Sequence, residues 1–86
     1  MRRLLLGLLV SIVSSPAFAS PFCTNEPKDK WLSESAMKEK ITTLGFEVKV
    51  FKVTAGNCYE IYGQDKDGKR VEIYYNPQTG EPVESK

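Results

Sequence analysis

The chain changes rhythm three times, and each rhythm predicts a different element. Residues 4–13 are an almost unbroken apolar run, Leu4 to Val13. Residues 20–30 are polar, carry Pro21 and Pro27 and show no period, so they read as an extended arm. From Glu34 to Leu44 the apolar residues Met37, Ile41 and Leu44 recur at i, i+4 and i+7, with Lys38, Glu39 and Lys40 turned outward. That period predicts one helix of about three turns with a single buried stripe. Ser33 is a good N-cap, Glu34 sits at the positive helix end, and Leu32 precedes the cap where it can staple onto the first turn. Gly45 is placed to close the helix in a left-handed conformation.

The period then drops to two. Phe46, Val48 and Val50 alternate with Glu47 and Lys49, a strand pattern. At Phe51 and Val53 the apolar phase slips by one, which predicts a β-bulge or a strand apolar on both faces. A turn at Ala55-Gly56-Asn57, a second strand from Cys58 to Gln64, a tight turn at Asp67-Gly68 and a third strand from Arg70 to Tyr75 follow. Residues 76–80 form another turn, leaving a short edge strand around Val83, where Pro82 is tolerated. The expected class is α+β, with one N-terminal helix packed on a three- to four-stranded antiparallel sheet. Pairing Asp65 with Lys69, with Gly68 left-handed, sets Tyr59, Ile61 and Gly63 opposite Tyr75, Ile73 and Val71. A similar turn at Gly56 puts Val53 and Phe51 beside Tyr59 and Ile61. One sheet face is then apolar and receives Met37, Ile41 and Leu44. The other carries Val50, Cys58, Glu60, Tyr62, Glu72 and Tyr74, and its two tyrosines need cover or a partner.

The first apolar run has the setting of a secretory signal. Arg2 and Arg3 precede it, Pro16 follows, and Ala17-Phe18-Ala19 is an A-x-A cleavage sequence, which predicts a mature start at Ser20. The run is about half the ~20 residues that span a bilayer, so a retained anchor is disfavoured. The Arg-Arg pair lacks a wider twin-arginine motif, and Cys23 lacks the small residues of a lipobox before it. The expected organisation is a signal at 1–19, an arm at 20–30 and a domain at 31–86, with the product periplasmic or secreted and not stably inserted in a membrane. Residues 20–86 keep all 11 acidic residues and lose only Arg2 and Arg3 of the 12 basic ones, for a net charge of −1. With no basic cluster, nucleic acid is not expected as a partner.

Export also bears on the two cysteines. A chain this short is marginal without a staple, and a Cys23–Cys58 bridge would close a loop of 36 residues. A structural disulfide is favoured over a redox pair, since nothing resembles C-x-x-C. It is also favoured over a metal site, since two thiols without a single histidine make a poor cage. Such a bridge would draw the arm, with Phe22 and Trp31, toward the face that carries Cys58.

The helix, Leu44-Gly45-Phe46-Glu47-Val48, Cys58-Tyr59-Glu60-Ile61, the run from Asp67 to Ile73 and Asn76-Pro77-Gln78-Thr79-Gly80-Glu81 together resemble a PepSY domain over residues 22–84. The likeness is to the small secreted, single-domain members with a cysteine in the arm. It implies a helix on an antiparallel sheet in an extracytoplasmic setting; within peptidase propeptides such domains imply a role in holding peptidases inactive, stand-alone members mostly have no assigned activity, and no catalytic residues carry over. Asn76 stands where Asp is more usual, a mild change because both favour that turn position.

The residue inventory argues against catalysis. Without histidine, the commonest general base and haem ligand are both missing. Ser33 and Ser35 belong to the helix start. Glu60 and Glu72 fall near each other across two strands, and the expectation is a solvated face balanced by lysines and arginine. Asp65, Asp67 and Gly68 lack the closing glutamate of a calcium loop. Trp31 reads as packing at the helix start. No cofactor, metal or catalytic residue is expected. Val50, Tyr62 and Tyr74 are the candidate binding face, for an exported protein such as a peptidase; the alternative is a small-ligand sensing or accessory domain of an envelope signalling system.

Overall fold

The computed structural model describes residues 20–86. The predicted signal segment and its cleavage site lie outside the described residues. The order is a short 3-10 turn at Lys28–Lys30, helix α1 (Glu34–Thr43), then strands β1 (Glu47–Val53), β2 (Tyr59–Gln64), β3 (Arg70–Tyr75) and β4 (Pro82–Ser85). The four strands form one antiparallel meander in sequence order, with α1 across one face.

Helix α1 begins where its cap chemistry places it. Ser33 has extended dihedrals and its Oγ accepts from the Ala36 N–H at 3.1 Å. Met37 and Ile41 are fully buried against Tyr59, Ile61, Ile73 and Tyr75, with Leu32 packed at the edge of that cluster. Gly45, at φ 101°, ends the helix in a conformation that disfavours a side chain. Leu44 does not join the stripe: it is 60 % exposed. The physical reason is the early termination. The Phe46 N–H folds back onto the Ile41 carbonyl at 3.4 Å, and Phe46 takes the core position that the helical spacing assigns to Leu44.

The slip in apolar phase along β1 is a bulge. Val48 pairs with Gly63 and Val50 with Tyr62, so Lys49 is the extra residue. Val48 and Phe51 therefore both point to the helix, and Val50 points away. The β1–β2 and β2–β3 hairpins share one design, with Thr54 N–H bonded to the Cys58 carbonyl (2.9 Å) and Asp65 N–H to the Lys69 carbonyl (2.8 Å). Gly68 takes the left-handed position of the second turn. In the first turn that position is held by Asn57 (φ 63°) and not by Gly56. The resulting registers, Phe51 with Ile61, Tyr59 with Tyr75 and Ile61 with Ile73, are those the alternation predicts. The short edge strand forms as β4, and Lys86 extends its pairing through two backbone bonds with Glu72 (2.8 and 3.2 Å).

Trp31 lies on the helix side, edge-on to Tyr59 at 5.6 Å, so the arm does not carry it to the Cys58 face. Its indole N–H is bonded to the Glu26 carbonyl (2.9 Å), and the Tyr59 hydroxyl donates to the Leu32 carbonyl (2.6 Å). The chain between arm and helix is thus held on the core side while the arm itself crosses to the other.

Candidate functional site: the second sheet face and its arm

Cys23 and Cys58 form a disulfide, and Cys58 is fully buried. Three further contacts fix the arm. The Cys23 N–H bonds to the Gly56 carbonyl at 2.8 Å, the Asn57 amide donates to the Thr24 carbonyl at 3.1 Å, and the Asn76 amide donates to the Cys23 carbonyl at 3.2 Å. Gly56 is required by this approach: a Cβ there would run into the Pro21 carbonyl oxygen. Asn76 has two tasks. Its Oδ1 accepts from the Gln78 N–H (2.9 Å) to shape the β3–β4 turn, and its Nδ2 holds the arm. An aspartate could do only the first. Asn76→Asp is therefore expected to keep the fold and loosen the arm, read as faster amide exchange at Cys23 and Thr24 with little change at Gln78 and Gly80.

The second face is built on Val50, Cys58, Glu60, Tyr62, Glu72 and Tyr74, through the pairs Val50–Tyr62, Tyr62–Glu72 and Glu60–Tyr74. It is not uniformly solvated. Glu60 and Tyr74 are each 4 % exposed, whereas Val50 is 45 % and Tyr62 38 % exposed. The structure thus splits the two tyrosines: Tyr74 is packed at the end of the face where the arm is bolted, and Tyr62 stands in the open. Phe22, on the arm, is 61 % exposed.

Glu60 and Glu72 meet in a polar cluster, contrary to the expected solvated face. The two carboxyl groups influence each other's titration, and the Tyr62 and Tyr74 hydroxyls influence both. The Tyr74 hydroxyl donates to Glu72 Oε2 at 3.0 Å. Two carboxyl groups that interact across paired strands titrate as a linked pair, each shifting the other. Burial, followed by the bond to Glu72, pushes Glu60 up. The same bond is the main cause that holds Glu72 below its ordinary value, with Lys86 adding to it. Burial pushes the Tyr74 hydroxyl up to about 12, and the bond to Glu60, then that to Glu72, pushes Tyr62 upward as well. The Tyr74–Glu72 bond ties β3 side chains two residues apart, and burial of Glu60 and Tyr74 packs this end of the face.

The pair has a predictable pH signature. Glu60 is raised, so its contribution to stability is present below the ordinary glutamate value of 4.5 and is lost as pH climbs through its folded value. Glu72 is lowered, so its contribution is present above that value and lost as pH falls through its own folded value. Glu60→Gln keeps a donor to Glu72 without the charge. It is expected to raise the urea midpoint at about pH 8 relative to wild type and to lessen the decline in stability as pH rises above the ordinary glutamate value. Urea titrations at about pH 4 and about pH 8 check this; an unchanged difference between them would show that Glu60 is not held above its ordinary value.

Alternating strands made the face legible. That Glu60 is buried was not, because the cover comes from the packing of distant residues, and two glutamates at alternate positions on paired strands look the same whether wet or dry. The only available signal was the tyrosine beside each.

A search of curated proteins and of solved structures returns no match. A match to the family model described as "Peptidase propeptide and YPEB domain" covers residues 3–86. Proteins of this family are typically extracellular or periplasmic and of a propeptide or regulatory type, which suits a domain held by a disulfide. Among the described residues no helix is long and apolar enough to cross a membrane. The match and the helix-on-meander fold agree, and the chain belongs to the PepSY family.

Proposed function

We propose that this chain is a non-catalytic, exported PepSY module that binds another exported protein, a peptidase being the class the family points to, through the uncovered end of its second sheet face. The observation that supports this most is the pair Val50 and Tyr62. They are direct neighbours across β1 and β2, both substantially exposed, on a face whose other end is packed beside the arm. A sheet face left apolar and open beside a covered one is a surface kept for contact. Regulation rather than catalysis suits a face whose only carboxyl pair is tied up by its neighbours.

A small-ligand sensor would need an enclosed chamber between helix and sheet. That space is filled by Met37, Ile41 and Ile61, each with no exposed surface. The depression at the helix–β1 seam, about 400 Å³ and lined by Lys38, Phe46 and Phe51, opens to solvent. The protein-partner reading is therefore favoured. A crosslinking pull-down of the mature protein from its own envelope extract tests it, with a Val50→Ser/Tyr62→Ala variant beside it. One specifically captured protein that disappears with the folded variant supports the reading. Equal capture by both proteins refutes the face assignment.

A further inference from the structure

The uncovered end of the second face is more than an apolar patch. A groove of about 530 Å³ runs across it near the β2–β3 turn. Val50 and Tyr62 give it apolar walls, and Lys49, Arg70 and Lys86 line it with positive charge. Glu72 is the one carboxylate in the lining, and it is already occupied by Tyr74 and Glu60.

The cations differ in how they are engaged. Lys49 Nζ lies 3.3 Å from Glu47, with both side chains more than half exposed. Lys86 Nζ lies 3.8 Å from Glu84 and 5.3 Å from the Tyr74 ring. Arg70 is exposed and makes no ion pair among the described residues. Exposed ion pairs of this kind are weak, so an incoming carboxylate can take the place of Glu47 on Lys49 at little cost. The Arg70 guanidinium offers a planar fork suited to a carboxylate. Beyond Tyr62, the Lys52 ammonium lies 5.4 Å from the phenol ring, adding a fourth cation to the same face.

Resting on the reading of this face as the contact surface, we propose that the groove takes an acidic segment of the partner: an extended stretch in which one or two apolar or aromatic side chains lie on Val50 and Tyr62 while flanking carboxylates meet Arg70 and Lys49. Apolar walls within a positive lining are complementary to that pattern and repel its basic counterpart.

The test is a titration of the mature protein with two blocked peptides, acetyl-Asp-Glu-Leu-Phe-Glu-Asp-amide and the same sequence with lysine at each acidic position, followed by amide resonances. The acidic peptide is expected to shift residues around Val50, Tyr62 and Arg70, and to bind at least about tenfold tighter than the basic one. Arg70→Glu is expected to weaken it by about tenfold or more, and added salt to weaken it further. Equal or tighter binding of the basic peptide at the same residues overturns the acidic-partner inference and leaves the face assignment standing. Shifts centred on α1 for both peptides overturn the inference and the face assignment together. Binding to phosphatidylglycerol vesicles with no response to the acidic peptide overturns the inference in favour of an anionic membrane surface.

Discussion

Replacing Cys23 and Cys58 together by serine is expected to remove about 4 kcal/mol of stability. The bridge closes a loop with a sequence separation of 35 residues, and the chain-entropy cost released on opening such a loop is of that size. Domains as small as this one stand at the low end of the usual range of about 5–15 kcal/mol, so the loss is most of the total. At about 4–8 °C per kcal/mol, the melting temperature should fall by roughly 15–30 °C, or cooperative folding should be lost at ambient temperature. The loss is also local. Without the bridge the arm keeps its hydrogen bonds from Cys23, Asn57, Asn76 and the Trp31 indole, and the packing around Glu60 and Tyr74 loosens. Thermal melts of the wild type with and without reductant, beside the double serine variant, give the check. A fall of only a few degrees would mean that the core alone sustains the fold.

Ile61→Ala is expected to cost a comparable amount, about 3–5 kcal/mol. Ile61 lies at the centre of β2, has no exposed surface and pairs with Phe51 on one side and Ile73 on the other. Met37, Ile41 and Tyr59 complete the cluster above it. Truncating a side chain so enclosed loses its transfer free energy and leaves a cavity that strands pinned on both sides cannot collapse into. Urea unfolding of the oxidised protein should show a lower midpoint with an unchanged slope. A cost below about 1 kcal/mol would contradict the packing described here. Leu44→Ala, at the exposed end of the same helix, should have little effect, and the contrast between the two substitutions tests which apolar residues form the core.

Most of the fold is legible in the chain because its signals are local. Ser33 as cap, Gly45 as terminator, the alternation along β2 and β3 and the Asp65–Lys69 hairpin each act over a few residues, and each register follows from the turn before it. The errors fall where a distant contact decides. Leu44 fits the helical stripe by spacing, but the backbone turns at Gly45 and Phe46 fills the site. Trp31 packs at the helix start as its place predicts, but its indole is held by Glu26 and lies on Tyr59, so the bridge does not draw it to the Cys58 face. Gly56 carries the glycine of the first turn, but its constraint is the arm beside it, and Asn57 supplies the left-handed residue. The face was visible as a list of residues. Its division into a packed end and an open end was not, because that depends on which atoms the arm and β4 bring over Glu60 and Tyr74.

The most direct test of the contact surface is a photo-crosslinking amino acid placed in the intact chain at position 62 and, in a separate variant, at position 44, each expressed in the native envelope. Tyr62 stands at the centre of the open face, and Leu44, at 60 % against 38 %, is a more exposed apolar residue on the helix side. A discrete adduct at position 62 that is lost with Arg70→Glu, and no adduct at position 44, is the predicted result. A matching adduct from both positions, or one from position 44 alone, would contradict the assignment of the second sheet face as the surface through which this protein acts.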